Sequence, residues 1–304
     1  MIYLILNNMT NKEYIQQYLE FIKFEKRLSP LTVKNYRRDI ELLLEISPQM
    51  VLSEFSIDDI RRSVSTLHAR GLNGKSLSRM ISAWRGLFDF LNQRFSFTHN
   101  PALSIKAPKG NKQLPQTLSI DQTMKLVTIN DPSFLGIRDH AIIELFYSSG
   151  LRLSELINLK IHDINFGDET ITVFGKGGKS RIVPIGKYAI IAIRKWIDLR
   201  DTIKNIDEKS SPLFLSKIGK CLSARAIQYR LKIWAIKQGV PENIHPHLLR
   251  HSFATHILQS SQDLRAVQEL LGHKNISTTQ IYTHLDFQHL SKIYDQSHPR
   301  AKKK

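Results

Sequence analysis

ETITVFGKGGKSRIVPI, residues 169–185, carries two runs with a period of two. Glu169–Phe174 and Ser180–Ile185 alternate as strands do when one face is covered. Gly175-Lys176-Gly177-Gly178 between them has the composition of a hairpin turn. On both sides the period becomes helical. Ser119-x-x-Gln122 is a capping box, residues 139–149 form an apolar helix closed by Gly150, and Ser154 opens the next. Helices resume from about Tyr188. A small antiparallel sheet among many helices predicts an α+β, mostly helical fold.

Upstream, the sequence predicts four helices. Tyr14, Ile15, Tyr18, Leu19 and Ile22 recur at spacings of three and four within 12–27. Ser29-Pro30 pairs an N-cap with proline at the first helical position, opening a helix to about Ile46. Ser56 opens another that ends at Gly71, and Leu77, Ile81, Trp84, Phe88 and Leu91 mark a fourth over 75–93. PALSIKAPKGNKQLPQTL, residues 101–118, has neither period and reads as an extended linker. The expected organisation is a loose tail over 1–9, a helical bundle over 10–100, the linker over 101–118 and a mixed domain over 119–304. Met9 is a second candidate start.

The 304 residues carry a net charge of +17, which points to a polyanionic partner, nucleic acid first. Hydrophobic residues at 41% and charged residues at 23% exclude a disordered chain. The single cysteine, Cys221, excludes an internal disulfide framework and a cysteine-built metal cluster. The apolar run Ile2–Leu6 is too short to cross a bilayer. A cytoplasmic protein with no membrane association is expected.

Several residues have the chemistry of a phosphate site. Arg152 falls between a helix end and the next cap, with Glu155 three residues on; the pair can enter a cleft or simply mark a helix start. His247 and Arg250, three apart in a helical stretch, share a face and can hold two oxygens of one phosphate, or be a surface pair. His273 follows Gly272 in a loop, and Tyr282 lies on a short helix opened by Ser277-x-x-Gln280. A tyrosine packs more often than it reacts, and its ordinary pKa of about 10 makes it a weak nucleophile unless cations favour the phenolate. Gly175–Ser180 is no P-loop, because a strand rather than a helix follows it. The histidines lack His-Glu-x-x-His spacing, thiolates and clustered carboxylates, so no metal is expected.

Taken in order, Arg152, Lys176, His247 with Arg250, His273 and Tyr282 resemble the tyrosine recombinases of the phage-integrase class. So do the segments FEKRLSPLTVKNYRRDI, SSGLRLSEL, GKGGKSRIVPIG and HPHLLRHSFATHIL. The likeness covers roughly residues 10–304 and is strongest to the recombinases that resolve chromosome dimers. It implies a SAM-like four-helix core-DNA-binding domain and a catalytic domain forming a C-shaped clamp. It also implies roles. Tyr282 would attack a DNA phosphate to form a 3′-phosphotyrosyl link, and Arg152 and Arg250 would clamp the non-bridging oxygens. His273 would add a hydrogen bond, His247 would assist proton transfer, Lys176 would protonate the leaving 5′-oxygen, and Glu155 would orient its neighbours. Positioned charge suffices for phosphoryl transfer, so no cofactor, metal or ATP is expected. The implied partners are double-stranded DNA with a specific recombination site, a related recombinase in a heterotetramer, and a DNA translocase of the division machinery. The apolar pattern over 285–304 would be core, or would dock on a neighbouring protomer. The other readings are a mobile-element integrase, a type IB topoisomerase-like relaxer, and a non-catalytic architectural DNA-binding protein.

Overall fold

A computed structural model describes residues 9–108, 117–175, 180–204, 212–240, 243–271 and 292–301. The chain divides into two compact units, Met1–Gln113 and Leu114–Lys304.

The first unit is built from helices whose starts are fixed by local caps. Thr10 and Glu13 form a capping box for α1, Asn11–Glu20. The helix does not run on to residue 27 as an α-helix. It widens into a π turn over Phe21–Glu25, where the Lys26 N–H donates to the Phe21 carbonyl at 3.0 Å, and Arg27 then takes a φ of 50°. Ser29 caps α2, Pro30–Ile46, with proline in the first turn. Ser56 and Asp59 box the start of α3, Ile57–Ala69, and Gly71 at φ 88° follows its end. Asn73 caps α4, Gly74–Phe95, whose Leu77, Trp84, Phe88 and Leu91 are fully buried. Trp84 donates its indole N–H to the Asp39 carbonyl at 2.8 Å, tying α4 to α2. Ala102 and Ile105 also lie in this core, and Arg85 donates to both of their carbonyls. The 101–118 segment therefore begins inside the first unit.

Its other end is held by the second unit. The Leu118 N–H donates to Ser252 Oγ, and the Leu118 carbonyl meets His256 Nε2 at 3.0 Å. Ser119 and Gln122 box the start of α5, Ile120–Val127. The central helix is α6, Phe134–Ser149; it starts well before residue 139 because Ser133 caps it by accepting from the Gly136 N–H. It is buried on nearly every side, and Gly150 at φ 56° ends it. The next helix, α7, is Leu153–Asn158. It begins one residue before Ser154 because the Glu155 carboxylate caps the Arg152 N–H.

A three-stranded antiparallel sheet follows in the order β1 (Ile164–Asn165), β2 (Thr170–Phe174), β3 (Ser180–Pro184). Ile171 pairs with Val183 and Val173 with Arg181. Glu169 is left out of the strand because its φ of 52° belongs to the preceding turn. Then come α8 (Lys187–Arg200), α9 (Ala224–Lys237), α10 (Pro246–Ser261), α11 (Leu264–Leu271) and a short helix over 292–297. α8 and α10 pack on α6, and Phe146, Trp196, Phe214 and Phe253 fill the core between them. Among the described residues, no helix is long and apolar enough to cross a membrane.

Candidate active site

Four charged side chains converge where α6 gives way to α7. Gly150 ends α6 in the left-handed conformation and sends the chain past Arg152 into α7. The Arg152 side chain is 43% exposed, whereas that of Glu155, one turn on, is buried at 3%. The Glu155 carboxylate accepts from the Arg152 backbone N–H at 2.8 Å and from Arg152 Nη1 at 2.9 Å. It also receives both arms of the Arg181 guanidinium, at 2.8 and 2.9 Å. Burial raises the Glu155 pKa, but the hydrogen bonds and charges of Arg181 and Arg152 outweigh it and bring the value down to about 2. This carboxylate is ionised at neutral pH.

Arg250 reaches the same place from α10. Its side chain is buried; Nη1 donates to the Gly150 carbonyl and Nη2 to the Leu271 carbonyl at 2.6 Å. Burial, then the charges of Arg152 and Arg181, lower its pKa to about 10, which leaves it a cation. Arg250 thus bridges the loop before Arg152 and the last residue of α11. His247 lies on α10 one turn before Arg250 and is exposed, its ring stacked 6.4 Å from that of His245. His245 caps α10 by accepting from the Leu248 N–H at 3.1 Å.

Of the sequence-identified residues, Arg152, Glu155 and Arg250 are brought together, and His247 shares the helix of Arg250. Lys176, His273 and Tyr282 lie outside the described residues. The described residues next to two of them meet the cluster: β3, which follows Lys176 in the sequence, supplies Arg181, and the last two residues of α11, which precede His273, offer carbonyls to Arg181 and Arg250. Arg181 is the member that sequence reasoning missed. Among the described residues no group of three or more His, Cys, Asp or Glu side chains is placed to hold a metal. Three guanidinium groups around one carboxylate leave net positive charge beside an exposed arginine, which is an anion site.

Beneath it lies a second polar network. The Tyr294 hydroxyl bonds Ser148 Oγ at 2.8 Å, and His298 Nε2 donates to the Tyr147 carbonyl at 3.0 Å. Arg300 pairs with Glu144 through both arms and stacks on the Tyr188 ring. In the single chain, residues 292–301 therefore pack on the last turns of their own α6. On α9, Arg225 and Gln228 are exposed, but Arg230 is engaged by the buried carboxylate of Asp139.

Two family models match the chain: the phage integrase family over residues 116–289, and the phage integrase N-terminal SAM-like domain over 15–94. The chain belongs to the phage integrase family. The chain is 46% identical over 297 residues to tyrosine recombinase XerC of Pseudomonas fluorescens, covering 96% of this chain and 98% of that one. It is 45% identical over 294 residues to XerC of Escherichia coli, covering 95% and 97%. It is a site-specific tyrosine recombinase. The fold matches the Tn1549 transposon integrase in complex with transposon right end DNA, with a TM-score of 0.74 at 19% identity over 93% of this chain and 99% of that one. It also matches XerH bound to a palindromic difH substrate, with a TM-score of 0.68 at 23% identity over 92% and 84%.

Proposed function

We propose that this recombinase breaks and reseals DNA through Tyr282, and that its task is the resolution of chromosome and plasmid dimers in the cytoplasm. The observation that carries the reading is the meeting of Arg152 and Arg250, from distant parts of the chain, around one buried carboxylate. The phenol oxygen of Tyr282 attacks the scissile phosphorus, and a 3′-phosphotyrosyl ester forms as the bond to the 5′-oxygen breaks. His247 assists removal of the phenol proton, and Lys176 delivers a proton to the departing 5′-oxygen. Arg152, Arg250 and His273 neutralise charge on the non-bridging oxygens, where fixed donors lower the barrier most. Glu155 orients Arg152. The ester keeps the energy of the phosphodiester, so resealing needs no ATP.

The domain division at 10–100, 101–118 and 119–304 belongs to the same reading, with two basic domains gripping a specific DNA site through its phosphates. The partners are a XerD-like recombinase in a heterotetramer and a DNA translocase of the division machinery. The resemblance to the recombinases that resolve chromosome dimers implies both.

A duplex nicked beside the cleavage point tests this. The wild-type chain is expected to become covalently attached to it in the presence of EDTA. Tyr282→Phe is expected to bind the duplex and form no adduct. Adduct formation by Tyr282→Phe would remove the nucleophile assignment, and dependence on added metal would remove the charge-only mechanism.

A further inference from the structure

We propose that Arg181 is a positioning residue for cleavage: it neutralises Glu155 so that the positive charge of Arg152 is left for the DNA phosphate. The inference rests on the reading of Arg152 as a phosphate clamp.

Arg181 sits on β3 with its side chain 7% exposed, and it meets Glu155 fork to fork. A simple structural ion pair needs only these two members. Here the same carboxylate also holds the half-exposed Arg152 through two further hydrogen bonds. Both Glu155 oxygens therefore accept from both arginines, and the plane of the carboxylate is set by the rigid fork from β3. Charge leads to the same conclusion. Arg152, Arg181, Arg250 and Glu155 together are doubly positive. Without Arg181, Glu155 and the half-exposed Arg152 become a neutral pair, and Arg152 is drawn toward the carboxylate instead of the phosphate. Arg181 also donates through Nε to the Leu270 carbonyl at 3.3 Å, next to the Leu271 carbonyl held by Arg250. One side chain thus joins β3, the carboxylate beside Arg152 and the end of the helix before His273.

The test compares wild type, Arg181→Met, Arg181→Lys and the double variant Glu155→Leu/Arg181→Met. Each is read by its single-turnover rate of adduct formation and by its thermal unfolding midpoint. Two substrates are used: a normal nicked duplex and one with a methylphosphonate at the scissile position, which removes the charge that Arg152 faces. Arg181→Met strands a buried carboxylate and is expected to lower the midpoint; the double variant removes both charges and is expected to restore it. Cleavage of the normal duplex is expected to stay about 10- to 100-fold slow in both, as for lost orienting contacts elsewhere. Arg181→Lys, which keeps the charge and loses the fork, is expected to fall between. On the methylphosphonate, the deficit of each variant relative to wild type is expected to shrink to about threefold or less. Equal deficits on both substrates would reduce Arg181 to a structural residue. A wild-type chain that forms no adduct overturns the nucleophile reading itself, and this inference with it.

Discussion

Arg250 donates from Nη1 to the carbonyl oxygen of Gly150, joining α10 to the turn that delivers Arg152. The contact depends on an unusual backbone. Gly150 has a φ of 56°, and a Cβ placed on it would lie 2.4 Å from Cδ1 of Phe253. Phe253 is on α10, one turn after Arg250. The helix that carries the buried guanidinium thus also supplies the ring that fills the space beside Gly150, so the α6–α7 corner and the arginine are set by one packing arrangement.

Gly150→Ala is therefore expected to damage stability and cleavage together. The left-handed conformation costs an L-residue roughly 1–2 kcal/mol, and pressing the methyl into Phe253 adds about 1–3 kcal/mol. A fall of several degrees in the unfolding midpoint is expected, with slower adduct formation on the nicked duplex. A midpoint equal to that of wild type would show that the corner yields without strain.

The same corner shows what could be read from the sequence. Caps and stops were legible because their chemistry is local: Ser29-Pro30, Ser56, the Ser119 box and Gly150 all stand at helix ends. The two longer strands were legible from alternation. β1 was not, because two residues carry no period. The π turn in Phe21–Glu25 was missed because its apolar spacing continues that of α1. Arg181 was missed although a signal existed. In Ser180–Pro184 it lies in phase with Val183 on the buried face, while Ile182 points outward. A charged residue on the covered phase of a strand needs a partner, and alternation alone does not name Glu155. Arg230 on α9 is held by Asp139, a carboxylate far away in the sequence that local pattern does not connect to it.

Glu155 should leave a signature in acid. Its pKa is held at about 2, below the ordinary value of 4.5. The unfolded chain then binds more protons than the folded one between those two values, so this contribution is intact above pH 4.5 and is lost as the pH falls toward 2. About 2 kcal/mol of stability is expected to disappear between pH 4.5 and pH 3 in wild type. Glu155→Gln starts less stable and should lack that loss. Urea unfolding at the two pH values measures it, and parallel losses in the two proteins would contradict the assignment.

Arg300 and Glu144 form a pair that should be costly to break from one side. The side chains are 10% and 0% exposed, and the guanidinium also lies 3.8 Å from the Tyr188 ring centroid. Arg300→Met leaves the Glu144 carboxylate buried without its guanidinium partner, and a loss of about 3–5 kcal/mol is expected. Glu144→Leu/Arg300→Met should regain most of it. The urea midpoints of the three proteins decide the matter; a double variant no more stable than Arg300→Met would mean that the pair does not act as a unit.

His298 couples the docking of residues 292–301 to pH. Its ring is fully buried between Tyr294, Tyr147 and Phe253, with Nε2 on the Tyr147 carbonyl and Nδ1 accepting from the Arg300 N–H at 3.1 Å. Protonation at Nδ1 would remove that acceptor and place a charge in an apolar site. Burial, with lesser help from the charges of His256 and Arg300, lowers its pKa to about 3, although the hydrogen bond to the Tyr147 carbonyl opposes the shift. Between pH 6.5 and that value the unfolded chain binds the extra proton, so stability is full above pH 6.5 and falls as the solution is acidified. From pH 7 to pH 5 the wild-type chain is expected to lose about 2 kcal/mol more than His298→Gln does. His256, also shifted down by burial, titrates in both proteins and cancels in the comparison. Equal pH slopes for the two chains would mean that His298 is solvated in the folded protein and does not couple the docking of this segment to pH.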